Sequence, residues 1–206
     1  MRRLVVAPHM DDESLGCGGL LAKYPSECSV LVVTDSGSTR AAEHENAMAV
    51  LGIRQSECLA YPDGRVHERT AELVRDLDEA LARLRPDEVY LPYPSLHQDH
   101  IAVYEAGMRS CRISMSVEHW VPSTVLVYDI AVYDLNLYPS DLRWNVFESL
   151  SADEVDLKAR ACLAYQTEIP TDAHPINAVQ AMAKAVGNAR LLDYAEQYAL
   201  VRQVRR

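Results

Sequence analysis

Near the amino terminus, His9-Met10-Asp11-Asp12-Glu13 sets one imidazole and three consecutive carboxylates directly after the apolar run Val5-Val6-Ala7. Carboxylates crowded at one strand end repel one another unless positive charge sits among them, and a bound divalent cation supplies it. His9 and Asp12 are spaced to reach one ion together, which leaves Asp11 to face whatever else that ion holds. A distant stretch, His97-Gln98-Asp99-His100, follows Val89-Tyr90-Leu91-Pro92 and again places imidazoles and a carboxylate after an apolar run. Two such loops at neighbouring strand ends would supply three ligands and an open position for water, which is the pattern of a catalytic zinc rather than a structural one.

The elements that must position these loops alternate along the chain. Leu4 to Ala7, Ser29 to Thr34, Ser56 to Tyr61, Glu88 to Leu91 and Val121 to Ile130 are short apolar runs of buried-strand type. Between them, Leu15 to Tyr24, Arg40 to Leu51, Thr70 to Leu84 and the stretch from the second loop to about Cys111 carry helical patterns, the third through Leu73, Leu77, Ala80, Leu81 and Leu84. Asn136-Leu137-Tyr138-Pro139 begins irregular chain. Ser151-Ala152-Asp153-Glu154 is a capping-box pattern opening a helix to about Tyr165, and Pro175 suits the first turn of another that ends near Gly187-Asn188. Tyr194 to Val201 fits strand and helix equally. The alternation predicts an α/β, Rossmann-like fold: a mostly parallel sheet with helices on both faces and ligands at the carboxyl ends of its strands.

At 206 residues and 49% hydrophobic, the chain suffices for one core, so a single domain over residues 1–206 is expected. A net charge of -10 argues against a nucleic-acid partner, and the basic end from Arg202 to Arg206 reads as a solvated tail. Cys17, Cys28, Cys58, Cys111 and Cys162 form no CxxC pair and are odd in number, so reduced, buried thiols of a cytoplasmic protein are expected. The sequence shows no apolar signal segment and no run long enough to span a bilayer, which fits a soluble chain.

Gly16-Cys17-Gly18-Gly19 fails as a dinucleotide fingerprint, because Leu21 stands where the third glycine belongs; these glycines instead suit close approach of a helix to the sheet. His44, His67, His119 and His174 have no paired ligands nearby and read as structural or solvated. Asp63-Gly64 is explained by a turn as well as by a ligand. Arg40, at a helix start where a cation is slightly unfavourable, leaves a ligand role equally open.

Pro8-His9-Met10-Asp11-Asp12-Glu13 resembles the Pro-His-Pro-Asp-Asp-Glu motif of the LmbE-like, or PIG-L, family of zinc-dependent N-deacetylases, and His97-Gln98-Asp99-His100 is similar to that family's second motif, His-Pro-Asp-His. The likeness extends through Arg40-Ala41-Ala42-Glu43, Tyr61-Pro62-Asp63-Gly64, Asn136-Leu137, Tyr165-Gln166 and Tyr194-Ala195-Glu196. It implies zinc on His9, Asp12 and His100, Asp11 as general base, His97 on the oxyanion side with Asp99 orienting or charging it, and sugar contacts from Arg40 and Asp63. Met10 and Gln98 replace the family's prolines, which would loosen each loop without removing a ligand, and Ser95 stands where some relatives carry a tyrosine whose part Tyr93 would then have to play.

The implied reaction is removal of an acetyl group from an N-acetylglucosamine-type small molecule or glycoconjugate, with water activated by zinc and by Asp11. The competing readings are a Mg²⁺- or Mn²⁺-dependent phosphoester hydrolase and a non-catalytic nucleotide- or sugar-binding module, although two imidazoles beside one carboxylate suit zinc or iron better. Homo-oligomerisation is left open, with residues 117–121 around Trp120 offering an apolar contact.

Overall fold

The computed structural model describes residues 1–130, 138–168 and 175–205; Asn136, Leu137 and His174 lie outside the described residues, as do the side chains of Pro175 and Ile176. Five parallel strands form the larger part of the sheet: β1 (Arg3–Ala7), β2 (Cys28–Asp35), β3 (Ser56–Pro62), β4 (Glu88–Pro92) and β5 (Thr124–Tyr128). Helices α1 (Asp12–Lys23), α2 (Gly37–Leu51), α3 (Thr70–Leu84) and α4 (Gln98–Ser110) make the crossovers. Helix α5 (Ala152–Leu163), helix α6 (Pro175–Asn188) and two antiparallel strands, β6 (Trp144–Leu150) and β7 (Tyr194–Gln203), complete the described elements.

The sheet order is β3-β2-β1-β4-β5-β7-β6. The chain leaves β1 towards β2 and β3, then returns to place β4 on the other side of β1. The carboxyl ends of β1 and β4 therefore flank the point where the winding reverses, the crevice in which such sheets bind ligands. Register pairs Leu4 with Val89 and Val5 with Tyr90, so the loops after these strands emerge side by side. Leu4, Val5, Val6 and Ala7 are all buried, as expected of a strand covered on both faces.

Glycine accounts for how closely α1 lies on the sheet. A Cβ on Gly16 would come within 2.2 Å of the Tyr128 ring, and one on Gly19 within 3.0 Å of the Glu196 carboxyl. Glu196 uses that proximity: it accepts from the Gly19 and Leu20 N–H groups (2.8 Å each), from Lys158 (2.6 Å) and from the Tyr198 hydroxyl (2.7 Å).

Several expectations change. Tyr194–Gln203 is a strand, held between β5 and β6. Strand β6 has no counterpart in the sequence reading; its residues are mostly half-buried or exposed, so the alternation that marks a strand is blurred. The fifth strand is shorter than Val121 to Ile130, and α1 and α2 begin earlier than their apolar patterns, at Asp12 and Gly37. The capping box at Ser151 and Glu154 is present with both hydrogen bonds. All five cysteines are free, but Cys58 is exposed rather than buried. Trp120 packs within the chain, donating to the Pro86 carbonyl under Arg2 and Arg85, while Met115 and Val117 are fully exposed. Among the described residues no helix is long and apolar enough to cross a membrane.

Candidate active site

Two loops build the site. The first follows β1 and opens α1; the second follows β4 and is capped by His97, whose Nδ1 accepts from the Asp99 backbone N–H (3.2 Å). Three atoms converge between them. His9 Nδ1 lies 3.3 Å from Asp12 Oδ2 and 3.2 Å from His100 Nε2, and the last two are 3.2 Å apart. Ligands about 2.0 Å from a tetrahedral zinc stand roughly 3.3 Å from one another, so this triangle is one face of such a tetrahedron. Two imidazole nitrogens and one carboxylate oxygen also form a donor set that suits zinc or iron. The residues present fit a metal ion.

The far nitrogen of His9 completes the arrangement. Its Nε2 lies 3.3 Å from Asp99 Oδ2 and 3.2 Å from Asp63 Oδ1. A carboxylate behind a ligating imidazole fixes its tautomer and orientation. Asp99 is itself anchored, accepting from the Gly64 N–H (2.6 Å) and the Val66 N–H (3.1 Å). This corrects the expected pairing of Asp99 with His97: the buried Asp99 carboxylate faces His9 and the loop after β3, and only its backbone N–H meets His97. His97 is exposed, its ring edge-on to His9 at 4.8 Å. Its pKa is lowered by partial burial of the ring and by the neighbouring His9 and His100, which favours the neutral form. With Nδ1 accepting, the proton belongs on Nε2.

Electrostatics divides the carboxylates. Burial opposes ionisation of Asp12, yet His100 and His9 hold it well below the usual carboxylate range. Asp99 is lowered, against burial, by its bonds to His9, Gly64 and Val66. Asp11 goes the other way: burial, then Asp12 and Glu13, raise it well above the ordinary value despite Arg40 and His9. Its carboxylate makes no hydrogen bond among the described residues; the closest cation, Arg40 Nη1, is 3.8 Å from Oδ2. Asp11 occupies the N-cap of α1 without capping it, in a backbone conformation (φ 147°, ψ -30°) that an L-residue adopts only at a cost of about 1–3 kcal/mol.

His9, Asp11, Asp12, His97 and His100 line a cavity of about 490 Å³ with Ser36, Arg40, Asp63, Ser95, Leu96, Ile130 and Glu168, within the size range of small-molecule sites. Asp63 stands half-exposed at its edge. Arg40 is in the wall but mostly engaged, by the Met10 carbonyl, Thr167, Glu43 and Glu168. Tyr93 does not reach the cavity; its hydroxyl donates to the Tyr138 carbonyl, whereas Ser95 does line it. Gln98, in place of a proline, ties the second loop to the Gly64 carbonyl (3.2 Å). Ser36, Leu96, Ile130 and Glu168 were not singled out as site residues from sequence: Ile130 ends an apolar run, and the other three have no motif around them. They reach the cavity only through the fold.

The fold and the cavity together define a hydrolase-type site: a mixed α/β sheet with a triangle of possible metal ligands and, at its switch point, a buried carboxylate that makes no hydrogen bond among the described residues. Residues 4–111 match the PIG-L family model, described as GlcNAc-PI de-N-acetylase. The chain belongs to that family and is an amide-hydrolysing enzyme of metal-dependent type. It is 31% identical over 147 residues to the uncharacterized deacetylase YaiS of Escherichia coli (strain K12), an alignment that covers 64% of this chain and 80% of YaiS. Its fold matches the conserved protein TT1542 from Thermus thermophilus at a TM-score of 0.80 and 27% identity, covering 100% of this chain and 97% of that one. It also matches the N,N'-diacetylchitobiose deacetylase from Pyrococcus horikoshii at a TM-score of 0.76 and 19% identity, covering 97% of this chain and 83% of that one, a likeness of fold.

Proposed function

We propose that this enzyme removes the acetyl group from an N-acetylated amino sugar or sugar conjugate of the N-acetylglucosamine type, with zinc held by His9, Asp12 and His100. The reading is carried by one observation: three donor atoms 3.2–3.3 Å apart, with the unbonded carboxylate of Asp11 beside them in the same cavity. The family description and the chitobiose deacetylase supply the substrate class. A zinc ion bound there supplies Lewis acidity and lowers the pKa of water to about 7.

The chain's own groups do the rest. Asp11, its proton affinity raised by burial and by neighbouring carboxylates, is a stronger base than an exposed aspartate; it takes the proton of the attacking water and returns it to the leaving amine. His97 donates from Nε2–H as a neutral imidazole to the carbonyl oxygen as negative charge grows there. Asp99 holds His9 in its ligating tautomer. Asp63 and Ser36, in the cavity lining, are polar groups able to bind sugar hydroxyls.

Acetate release from N-acetylglucosamine, its oligomers and its glycosides, measured on zinc-loaded enzyme, tests the reading. Asp11→Asn should keep stoichiometric zinc and lower kcat about 10²- to 10⁴-fold. Release of phosphate from phosphoesters with no acetate from any amide would sink it.

A further inference from the structure

The peptide group between Met10 and Asp11 is held at both ends. Its carbonyl oxygen accepts from Arg40 Nη1 (3.0 Å), and its N–H donates to Glu13 Oε2 (3.2 Å). Both partners are buried and fixed in turn. Glu13, with no exposed surface, also accepts from the hydroxyls of Tyr165 (2.6 Å) and Ser14 (2.7 Å) on Oε1. Tyr165 has spent its proton on Glu13, so its oxygen accepts from His44 Nδ1–H (2.8 Å), which leaves His44 Nε2 to accept from the Ser56 hydroxyl (2.7 Å). Arg40 Nε donates to Thr167 Oγ1 (3.1 Å), and Thr167 is bonded through both its N–H (3.0 Å) and its hydroxyl (2.7 Å) to Glu43.

These bonds link four separate parts of the chain: α1, α2, β3 and the turn at residues 164–168 after α5. They converge on one peptide, and that peptide precedes the residue with the most unusual backbone in the site, Asp11 at φ 147°. An aspartate at a helix N-cap ordinarily turns its side chain back onto the first helical N–H groups. Here it does not, and Glu13 receives the Asp11 N–H instead.

Resting on the assignment of Asp11 as the base, we infer that Arg40 and Glu13 form a clamp on the Met10–Asp11 peptide that turns the Asp11 carboxylate away from capping α1 and into the cavity, and that Tyr165 and His44 are positioning residues that hold the clamp. Arg40 then serves the base rather than reading the sugar alone. Tyr165 and His44 are absent from the cavity lining, so they act on the reaction through the clamp, Tyr165 by its hydroxyl on Glu13 and by its ring beneath Arg40.

Tyr165→Phe keeps the ring in its buried place and deletes the one hydroxyl that joins His44 to Glu13. Expected is a fall in kcat of roughly ten- to a hundredfold, with KM and bound zinc unchanged, as for a group that orients a reacting residue. Glu13→Gln, which retains an acceptor for the Asp11 N–H, should keep more of kcat per folded, zinc-loaded molecule than Glu13→Ala, whereas a merely structural role would change the folded fraction and leave kcat per folded molecule alone. If the Glu13 variants do not accumulate as folded protein, Tyr165→Phe decides alone. Normal kcat in Tyr165→Phe, or a loss confined to KM or to zinc content, overturns the clamp while a dead Asp11→Asn leaves the base assignment standing. Normal turnover in Asp11→Asn overturns the base assignment, and the clamp with it.

Discussion

Two buried carboxylate sites lie along α1, one at its amino terminus and one beside Gly19 and Leu20, and they are built differently. At one, Glu196 is met by four donors at 2.6–2.8 Å, and the positive charge of Lys158 sits among them. At the other, Asp11, Asp12 and Glu13 stand in succession, and the imidazoles of His9 and His100 crowd the same Asp12 oxygen. The Nδ1 atom of His100 is buried with no hydrogen-bond partner among the described residues. A buried charge with every lone pair satisfied joins elements together; a buried cluster left short of positive charge is a place for a cation. The same residue types thus join elements beside β7 and, in the proposed reaction, do the chemistry at the end of β1.

The contrast is broken most severely at the triangle. His100→Ala removes one of the three proposed ligands, and the expected outcome is zinc far below one equivalent by metal analysis, no acetate release and an unchanged circular dichroism spectrum. Full zinc occupancy in that variant would show that the ion lies elsewhere. Lys158→Met tests the other side. It leaves the Glu196 carboxylate buried without its cation, which costs about 3–5 kcal/mol in denaturant unfolding, while kcat per folded molecule holds. A stability within about 1 kcal/mol of the parent would mean that the four-donor cage needs no cation. Asp99→Asn is subtler: shape persists but the charge behind His9 is gone, so zinc affinity should fall roughly ten- to a hundredfold in competition with a chelator. An unchanged affinity would return Asp99 to a purely structural part in anchoring the loop after β3.

Sequence carried the parallel part of the sheet because each of its strands is a short apolar run and the crossovers between them are helices of recognisable pattern. It carried the candidate ligands, which the fold brings together, because they sit in two compact patterned loops. What it could not carry are relations between distant stretches. Asp99 was paired with His97 two residues away, whereas its carboxylate turns to His9, ninety residues back, and to Gly64. His44 read as structural or solvated, and nothing near it in sequence pointed to Tyr165. Strand β7 contains Ala, Glu, Gln and Arg, which suit a helix as well as a strand; pairing with β5 and β6 on either side makes it a strand, a tertiary override of local preference. Edge strand β6 pairs on one side within the described sheet and so lacks the burial pattern that would have revealed it.

The smallest effect is the most diagnostic of how the site is charged before metal enters. In the metal-free chain, burial works against protonated His9, but hydrogen bonds to Asp12 and Asp99 outweigh it and push its pKa up to about 10 from 6.5. A raised basic pKa stabilises the folded chain fully below the unfolded value and ceases to do so as pH climbs through the folded one, so this contribution is present at pH 6 and fades towards pH 10. Zinc takes His9 only as the neutral ring, hence binding must expel that proton throughout the window between. Apparent zinc affinity should accordingly rise about tenfold per pH unit from near pH 7 to pH 9, with about one proton released per ion from this residue. Calorimetric titration of metal-free protein in two buffers of different ionisation enthalpy measures that proton directly. An affinity already flat between pH 7 and 9 would mean that His9 is neutral before the ion arrives and that Asp12 and Asp99 hold it by geometry instead of charge.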